Sequence, residues 1–358
     1  MQQTQVRFCK SSDGASIAYE ISGSGPPLVW SQHWVHRLES DWESSIWKPW
    51  LTFLTRRHTV VRYDWRGCAL SDRDVQFGFA KYVADLAAVI EAAQLDRFAL
   101  FGMAGAGSGA AMAYAGDHPD RVTCLILQEC QTRGRIAGSP TPQQLQEAHA
   151  RLKVIELGWP NETRAYGDFF AALHVPEATE SQMQAYNDML RRMTSPQNAV
   201  SLLRSFWAAD MTGLASAVRC PTLVIHSRGD AVIPFDEGRT VASLIPQARF
   251  LTIESRNHLL LSTDREWPRF LKAVEDFLIE ATPASGERSL KELSPRERDI
   301  AELLAKGLGN RKIASLLGIS EKTVRNHVST ILSKLGADSR AQVVAMARDA
   351  GFGHRAAT

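Results

Sequence analysis

Between Leu293 and Gly351 the chain carries four helix-starting residues, each followed by a helix-stopping glycine, and that punctuation leaves room for little except four short helices. Ser294-Pro295-Arg296-Glu297 opens the first: the Ser hydroxyl can accept from the Glu amide, Pro suits the first helical position, and the Glu side chain can reach back. Gly307 ends it. Asn310 is expected to cap the second helix and Gly318 to stop it; Ser320 and Gly336 bound the third, and Ser339 and Gly351 the fourth. Leu317-Gly318-Ile319-Ser320 joins the second helix to the third, which predicts a helix-turn-helix. On the third helix Val324, Val328, Ile331, Leu332 and Leu335 recur at helical spacing as one apolar stripe. Lys322, Thr323, Arg325, Asn326, Ser329, Thr330, Ser333 and Lys334 are left facing outward.

A solvated face on a small bundle would look similar, but the charge is unevenly spread. From Glu287 onward there are 13 Lys and Arg against 8 Asp and Glu, so the +2 of the whole chain leaves about −3 for everything before it. Positive charge is concentrated where phosphate contacts would need it. The run Leu293-Ser294-Pro295-Arg296-Glu297-Arg298, Lys312-Ile313-Ala314 and Ser320-Glu321-Lys322-Thr323-Val324-Arg325-Asn326-His327-Val328 resembles the DNA-binding domain of LuxR-type transcriptional regulators. That resemblance implies that Arg325, Asn326 and Ser329 reach base edges while Lys322, Thr323, His327 and Lys334 position the backbone. Arg can read guanine bidentately and Asn adenine, so the chemistry permits the assignment.

With 358 residues, 44% hydrophobic and 22% charged, the chain can hold one ordinary domain besides this small one. Cys9, Cys68, Cys124, Cys130 and Cys220 form no CxxC pair and have no His partners at ligand spacing, which points to buried thiols in a reducing compartment, with no structural metal. Met1-Gln2-Gln3-Thr4-Gln5 lacks a signal pattern, and the nineteen uncharged residues from Phe98 to Gly116 are broken by five glycines. A soluble cytoplasmic protein, bound to no membrane, is expected.

Small and breaker residues from Ala281 to Arg288 mark the boundary, giving a domain over 1–281, a linker over 282–289 and the helical domain over 290–358. Before the linker, apolar runs alternate with amphipathic helices: Pro27 to Trp30, Thr59 to Tyr63, Phe98 to Phe101, Thr123 to Leu127, Thr222 to His226 and Arg249 to Ile253 read as strands of a parallel α/β sheet. Strand signals stop over about 131–218, where Gln143 to Leu157, Thr163 to Leu173, Ser181 to Met193 and Pro196 to Ala209 read as a helical insertion over one edge.

Three local motifs resemble the α/β-hydrolase fold. Tyr63-Asp64-Trp65-Arg66-Gly67-Cys68-Ala69-Leu70-Ser71 is similar to its D-x-R-G-x-G-x-S turn, with Ala69 where the second glycine sits. Asp230 just past a strand is similar to its acid and His258 in Ser255-Arg256-Asn257-His258 to its base, in the chain order of that fold. The nucleophile is missing. After Phe98-Ala99-Leu100-Phe101 comes Gly102-Met103-Ala104-Gly105-Ala106-Gly107-Ser108-Gly109; counting forward puts Ala104 at the nucleophile position, and counting back from Tyr114-Ala115 and His118-Pro119 puts Gly105 there. Neither has an oxygen to deprotonate, so acyl transfer by the usual route is blocked. Ser108 is the alternative nucleophile, set about one helical turn late. Gly105-Ala106-Gly107-Ser108-Gly109-Ala110 also fits a dinucleotide-binding G-x-G-x-x-A, with Glu129 as the ribose acid, although the elbow already accounts for those glycines and no cofactor is expected.

A pocket in this fold lies at the C-terminal strand ends beneath the insertion. Ser31-Gln32-His33-Trp34 follows the Leu28-Val29-Trp30 strand where the family builds part of its oxyanion hole, and Trp34, Trp42, Trp47, Trp65, Trp159 and Trp207 are expected near the mouth. Ligand contacts are thus expected from His33, Trp34, Trp65, Ala104, Gly105, Trp159, Trp207, Asp230 and His258, with Arg133 or Arg135 available for an anion. Asp41-Trp42-Glu43-Ser44 and Thr194-Ser195-Pro196-Gln197-Asn198 strengthen the similarity to proteins joining an α/β-hydrolase-like domain to a LuxR-type tail. The resemblance implies a regulator that binds double-stranded DNA as a homodimer under control of a small-molecule effector, apolar and aromatic or acyl. The competing expectation is an ester or lactone hydrolase carrying a DNA-binding appendage.

Overall fold

The computed structural model describes residues 5–159, 164–281, 293–335, 337, 339–349 and 351–353. The chain divides into two compact units, Met1–Leu278 and Ile279–Thr358. The expected linker over 282–289 and the expected stop at Gly336 lie outside the described residues.

The first unit is built on an eight-stranded sheet: β1 (Arg7–Lys10), β2 (Ser16–Gly23), β3 (Pro27–Ser31), β4 (Thr59–Tyr63), β5 (Phe98–Met103), β6 (Val122–Gln128), β7 (Thr222–Ser227) and β8 (Arg249–Ile253), in the order β1-β2-β4-β3-β5-β6-β7-β8. All six expected strands are present. The sheet is not wholly parallel, because β1 and β2 precede them and β1 pairs with β2, and β2 with β4, antiparallel. The remaining pairings are parallel, as expected for strands β5 and β7, in which every residue is buried between helical layers.

Helices α1 (Trp47–Thr55), α2 (Phe79–Ala92) and α3 (Ala104–Asp117) connect the strands before the insertion. The insertion between β6 and β7 consists of α4 (Pro142–Gly158), α5 (Arg164–His174), α6 (Glu180–Met193), α7 (Pro196–Ala208) and the short α8 (Leu214–Ala217). Thr141, Thr179 and Ser195 cap α4, α6 and α7 through their hydroxyls, which fixes where each helix begins. Antiparallel backbone bonds, Gly134 N–H to Ala209 and Ile136 N–H to Trp207, both 2.8 Å, stitch the two ends of the insertion together. Helices α9 (Phe235–Leu244) and α10 (Trp267–Ala281) complete the unit.

Under α1 and α10 a cluster of Trp30, Trp47, Trp50, Phe101, Trp267 and Phe270 packs with ring centroids 4.9 to 6.3 Å apart, among the largest buried apolar masses in the fold. Trp47 therefore belongs to the core rather than to a ligand site. Trp42 is likewise drawn away, its indole N–H donating 3.2 Å to Glu20. The D-x-R-G turn is structural as well. Asp64 accepts from the amides of Leu38 and Leu70, and buried Arg66 grips Asp85 with two bonds of 2.7 and 2.6 Å. Ala69 holds φ +43°, the left-handed backbone that explains why a glycine suits that place. All five cysteines are free thiols, four of them buried.

The second unit contains α11 (Pro295–Ala305), α12 (Asn310–Leu317), α13 (Glu321–Leu335) and α14 (Arg340–Asp349). The Ser294–Glu297 capping box forms, and Ser320 and Ser339 accept from the amides of Thr323 and Gln342. Gly307, Gly318 and Gly351 take positive φ where the chain leaves a helix. Asn310 does not cap α12. Gly309 is the cap residue, and the Asn310 side chain accepts from Arg340 at 2.6 Å, tying α12 to α14. Ile300, Leu304, Ile313, Val324, Val328, Ile331, Leu335 and Val343 form its core. Among the described residues no helix is long and apolar enough to cross a membrane.

Candidate functional site

The C-terminal ends of β3, β5, β6 and β7 point toward one cavity of about 580 Å³, roofed by residues of the insertion. Its floor is the turn between β5 and α3. Glycines let that helix come close: a Cβ on Gly102 would sit 2.8 Å from Ser108 Cα, and one on Gly107 would sit 2.7 Å from the Ser31 carbonyl oxygen. The left-handed residue of the turn is Ala104, at φ +56°. That conformation costs a non-glycine residue about 1–2 kcal/mol, and of the two candidates it is Ala104, not Gly105, that takes it. Both residues line the cavity.

Ser108 points elsewhere. It is fully buried, and its hydroxyl faces the carbonyls of Gly102 and Gln128 at 3.1 and 3.3 Å, outside the cavity lining. Glu129, the candidate ribose acid, is buried too, and its carboxyl is turned under β7, where it accepts from the Ser227 amide at 3.0 Å and hydroxyl at 2.8 Å. A dinucleotide ribose has no access to it.

The acid and base are brought together. Asp230 accepts from the Val232 amide at 2.7 Å and from His258 Nδ1–H at 2.7 Å, which leaves His258 Nε2 as a lone pair. Asp230 lies behind the histidine and does not line the cavity, whereas His258 does. Glu129 stands beside Asp230, and the pair divides one proton unequally. Burial, then the charge of Asp230, pushes the Glu129 carboxyl far above the usual range. Burial works against the Asp230 charge as well, but His258 and the Val232 amide outweigh it and hold Asp230 below its usual value. The pairing thus favours the proton on Glu129 and the charge on Asp230, under the histidine.

Two further imidazoles meet His258. His33, after β3, and His174, at the end of α5, lie with ring centroids 5.5 and 5.3 Å from it and 5.6 Å from each other, all near perpendicular. Burial, then the neighbouring histidines, depresses His33 well below the normal histidine range and brings His174 down to about 3, so both are neutral near pH 7. His174 Nδ1–H donates to the Phe170 carbonyl at 2.9 Å and presents the Nε2 lone pair, as His258 does. His33 is the opposite tautomer: its Nδ1 accepts from the Val35 amide at 3.1 Å, which puts the proton on Nε2. The cluster therefore offers two acceptors and one donor. That set suits a hydroxyl or carboxyl oxygen better than a metal ion, for which His33 would have to give up the Val35 bond.

Of the sites expected from the sequence, His33, Trp34, Trp65, Ala104, Gly105, Trp207 and His258 line the cavity, as do Arg133 and Arg135. Trp159 does not; it stacks on Trp34 at 6.4 Å and lines a small neighbouring hollow. His174, Gln131 and Arg151 were missed. His174 and Arg151 sit on insertion helices, and nothing in their local sequence marks the side that meets the sheet.

In the second unit Lys322, Arg325, Asn326 and Ser329 are exposed on α13, while Thr323 and His327 are half-buried. Lys334 is exposed as well, and its ammonium pairs with Glu297 of the capping box at 2.7 Å.

Residues 40–264 match the family described as alpha/beta hydrolase fold, and residues 291–347 match bacterial regulatory proteins of the luxR family. The non-heme chloroperoxidase of Streptomyces lividans is 27% identical over 270 residues, covering 72% of this chain and 94% of that protein. The spore germination protein GerE of Bacillus subtilis is 52% identical over 52 residues, 14% of this chain and 70% of GerE. An esterase of Exiguobacterium antarcticum superposes with a TM-score of 0.64 at 21% identity, over 76% of this chain and 99% of the esterase. The chain belongs to the α/β-hydrolase fold family, and it carries at its C-terminal end the DNA-binding domain of the luxR family of bacterial regulatory proteins.

Proposed function

We propose that the protein is a ligand-responsive transcriptional regulator whose α/β-hydrolase domain binds a small apolar, aromatic or acyl molecule without hydrolysing it. The observation that carries this reading is Ala104 at the elbow: the Asp230–His258 pair is intact beside a ligand-sized cavity, and the residue it would activate has no oxygen. The domains are 1–281, with the helical cap over about 131–218, a linker over 282–289, and the DNA-binding domain over 290–358. One recognition helix reads few base pairs, so the regulator acts as a homodimer on a two-fold-related site in the cytoplasm. Arg325, Asn326 and Ser329 read base edges; Lys322, Thr323 and His327 hold the backbone, with Lys334 contributing less because of Glu297. Occupancy of the cavity shifts the balance between DNA-competent and DNA-incompetent arrangements.

The test is turnover of p-nitrophenyl butyrate by the full chain, with Ser108→Ala and His258→Ala in parallel. The expected result is no turnover above buffer in any of the three. Turnover that disappears in His258→Ala would overturn the reading in favour of a hydrolase, by Ser108 if that variant is also inactive and by direct attack of water if it is not.

A further inference from the structure

The cavity has a second polar wall, remote in sequence from the hydrolase residues. Arg135 lies in the loop after β6, half-buried, with its guanidinium 5.9 Å from the Trp207 ring centroid and one nitrogen donating to the Val232 carbonyl at 3.1 Å. Its Nε is buried with no partner. Arg151, on α4, lines the same cavity and acts electrostatically on both Arg135 and His174. Burial, then the charge of Arg151, lowers the Arg135 pKa.

Among the described residues no carboxylate lies within 4.0 Å of either group. The acids nearby make their bonds elsewhere: Glu147, whose charge partly offsets that of Arg151 on Arg135, accepts from the Gln143 side-chain NH2 at 3.1 Å, and Glu237, also in the cavity lining, accepts from the Thr132 backbone amide and hydroxyl, both at 2.8 Å. Arg133 is different, because it is largely exposed and sits 3.6 Å from Asp210. Two like charges drawn partly out of water with no carboxylate in contact lower the stability of the fold, and an anion between them offsets the cost. The planar fork of a guanidinium matches a carboxylate or an equivalent oxyanion. Trp34, Trp65, Phe206 and Trp207 supply the apolar surface beside it.

We propose that Arg135 and Arg151 form an anion clamp, and that the cavity's occupant is an organic anion with an aromatic or acyl body. This rests on the reading of the cavity as a ligand site. The matched probes are 8-anilinonaphthalene-1-sulfonate and N-phenyl-1-naphthylamine, which share a body and differ by the sulfonate. Fluorescence titration of the full chain should give one-to-one binding, with the sulfonate at least about tenfold tighter. Arg135→Ala with Arg151→Ala should abolish that preference and leave the neutral dye within about twofold, and the double Lys variant should keep most of it. If both dyes bind equally, or the Ala variant loses both in step, the clamp is overturned while the ligand site stands. If neither dye binds, the clamp and the ligand site fall together.

Discussion

His174 makes the stability of the α/β domain depend on pH in a way that a single variant can isolate. Its ring is buried, stacked 5.6 Å from Tyr186 and beside His33 and His258, and its pKa is brought down to about 3 from 6.5. In the unfolded chain the group titrates normally. Between those two values the unfolded state therefore holds a proton that the folded state lacks, and stability falls as pH drops below 6.5. One pH unit across that window is worth about 1.4 kcal/mol, so a descent from about pH 7.5 to about pH 5 removes roughly 2 kcal/mol through His174 alone. His33 acts in the same direction. His174→Asn keeps an N–H for the Phe170 carbonyl and cannot titrate. All nine tryptophans precede residue 278, so urea unfolding of the full chain followed by tryptophan fluorescence reports on this domain. The variant has a cavity defect at every pH, but its loss of stability on acidification should be about 2 kcal/mol smaller than the parent's. Equal losses in the two proteins would refute the assignment of His174 as a neutral buried imidazole.

Ala104→Ser places a hydroxyl on the retained elbow. It should raise turnover of p-nitrophenyl acetate about a thousandfold over the buffer background, and adding His258→Asn should remove the gain. No gain would mean that the elbow no longer aims at His258. Arg325→Ala should weaken binding to the cognate site by about tenfold to a hundredfold and random DNA only slightly, by gel shift at fixed salt; equal loss on both would reduce Arg325 to a phosphate contact. Gly107→Ala drives a Cβ to 2.7 Å from the Ser31 carbonyl oxygen and should cost about 1–3 kcal/mol in urea melts, whereas an unchanged midpoint would show that α3 can shift away from β3.

How far the sequence could be read depended on whether an element's determinants are local. The helix caps at Ser294, Ser320 and Ser339 satisfy amides within three residues, so short patterns found them. Asn310 misled because Gly309 takes the cap position and the Asn side chain instead bonds to Arg340, thirty residues on. Strand β2 stayed hidden because it buries Glu20, a charge that reads as surface until Arg62 arrives from β4 to pair with it at 2.8 Å. Strand β1 is four residues long and mostly exposed.

At the site, Asp230 and His258 were legible from chain order, since the fold fixes both at strand ends. The elbow was not, since Ala104 and Gly105 fit the spacing equally and only the backbone angle separates them. His174 and Arg151 depend on how the insertion packs. Glu129 was noticed at the end of its strand only as the acid of the disfavoured dinucleotide alternative, and its partners, Ser227 and Asp230, lie about a hundred residues later.

Ala104 also bears on how such a regulator can change over time. The costly part of a nucleophile elbow is its left-handed backbone, and here that backbone persists under a side chain that gains nothing from it. Alanine and serine codons differ by a single base. If the proposed reading holds, the step between holding a molecule and cleaving it is short in this fold: it needs one hydroxyl, with the helix, the strand ends and the acid-base pair already in place. On the proposed reading, a lineage carrying this domain can pass from enzyme to sensor, or back, without refolding. Its effector would then be sought among the compounds that hydrolases of this shape are built to enclose.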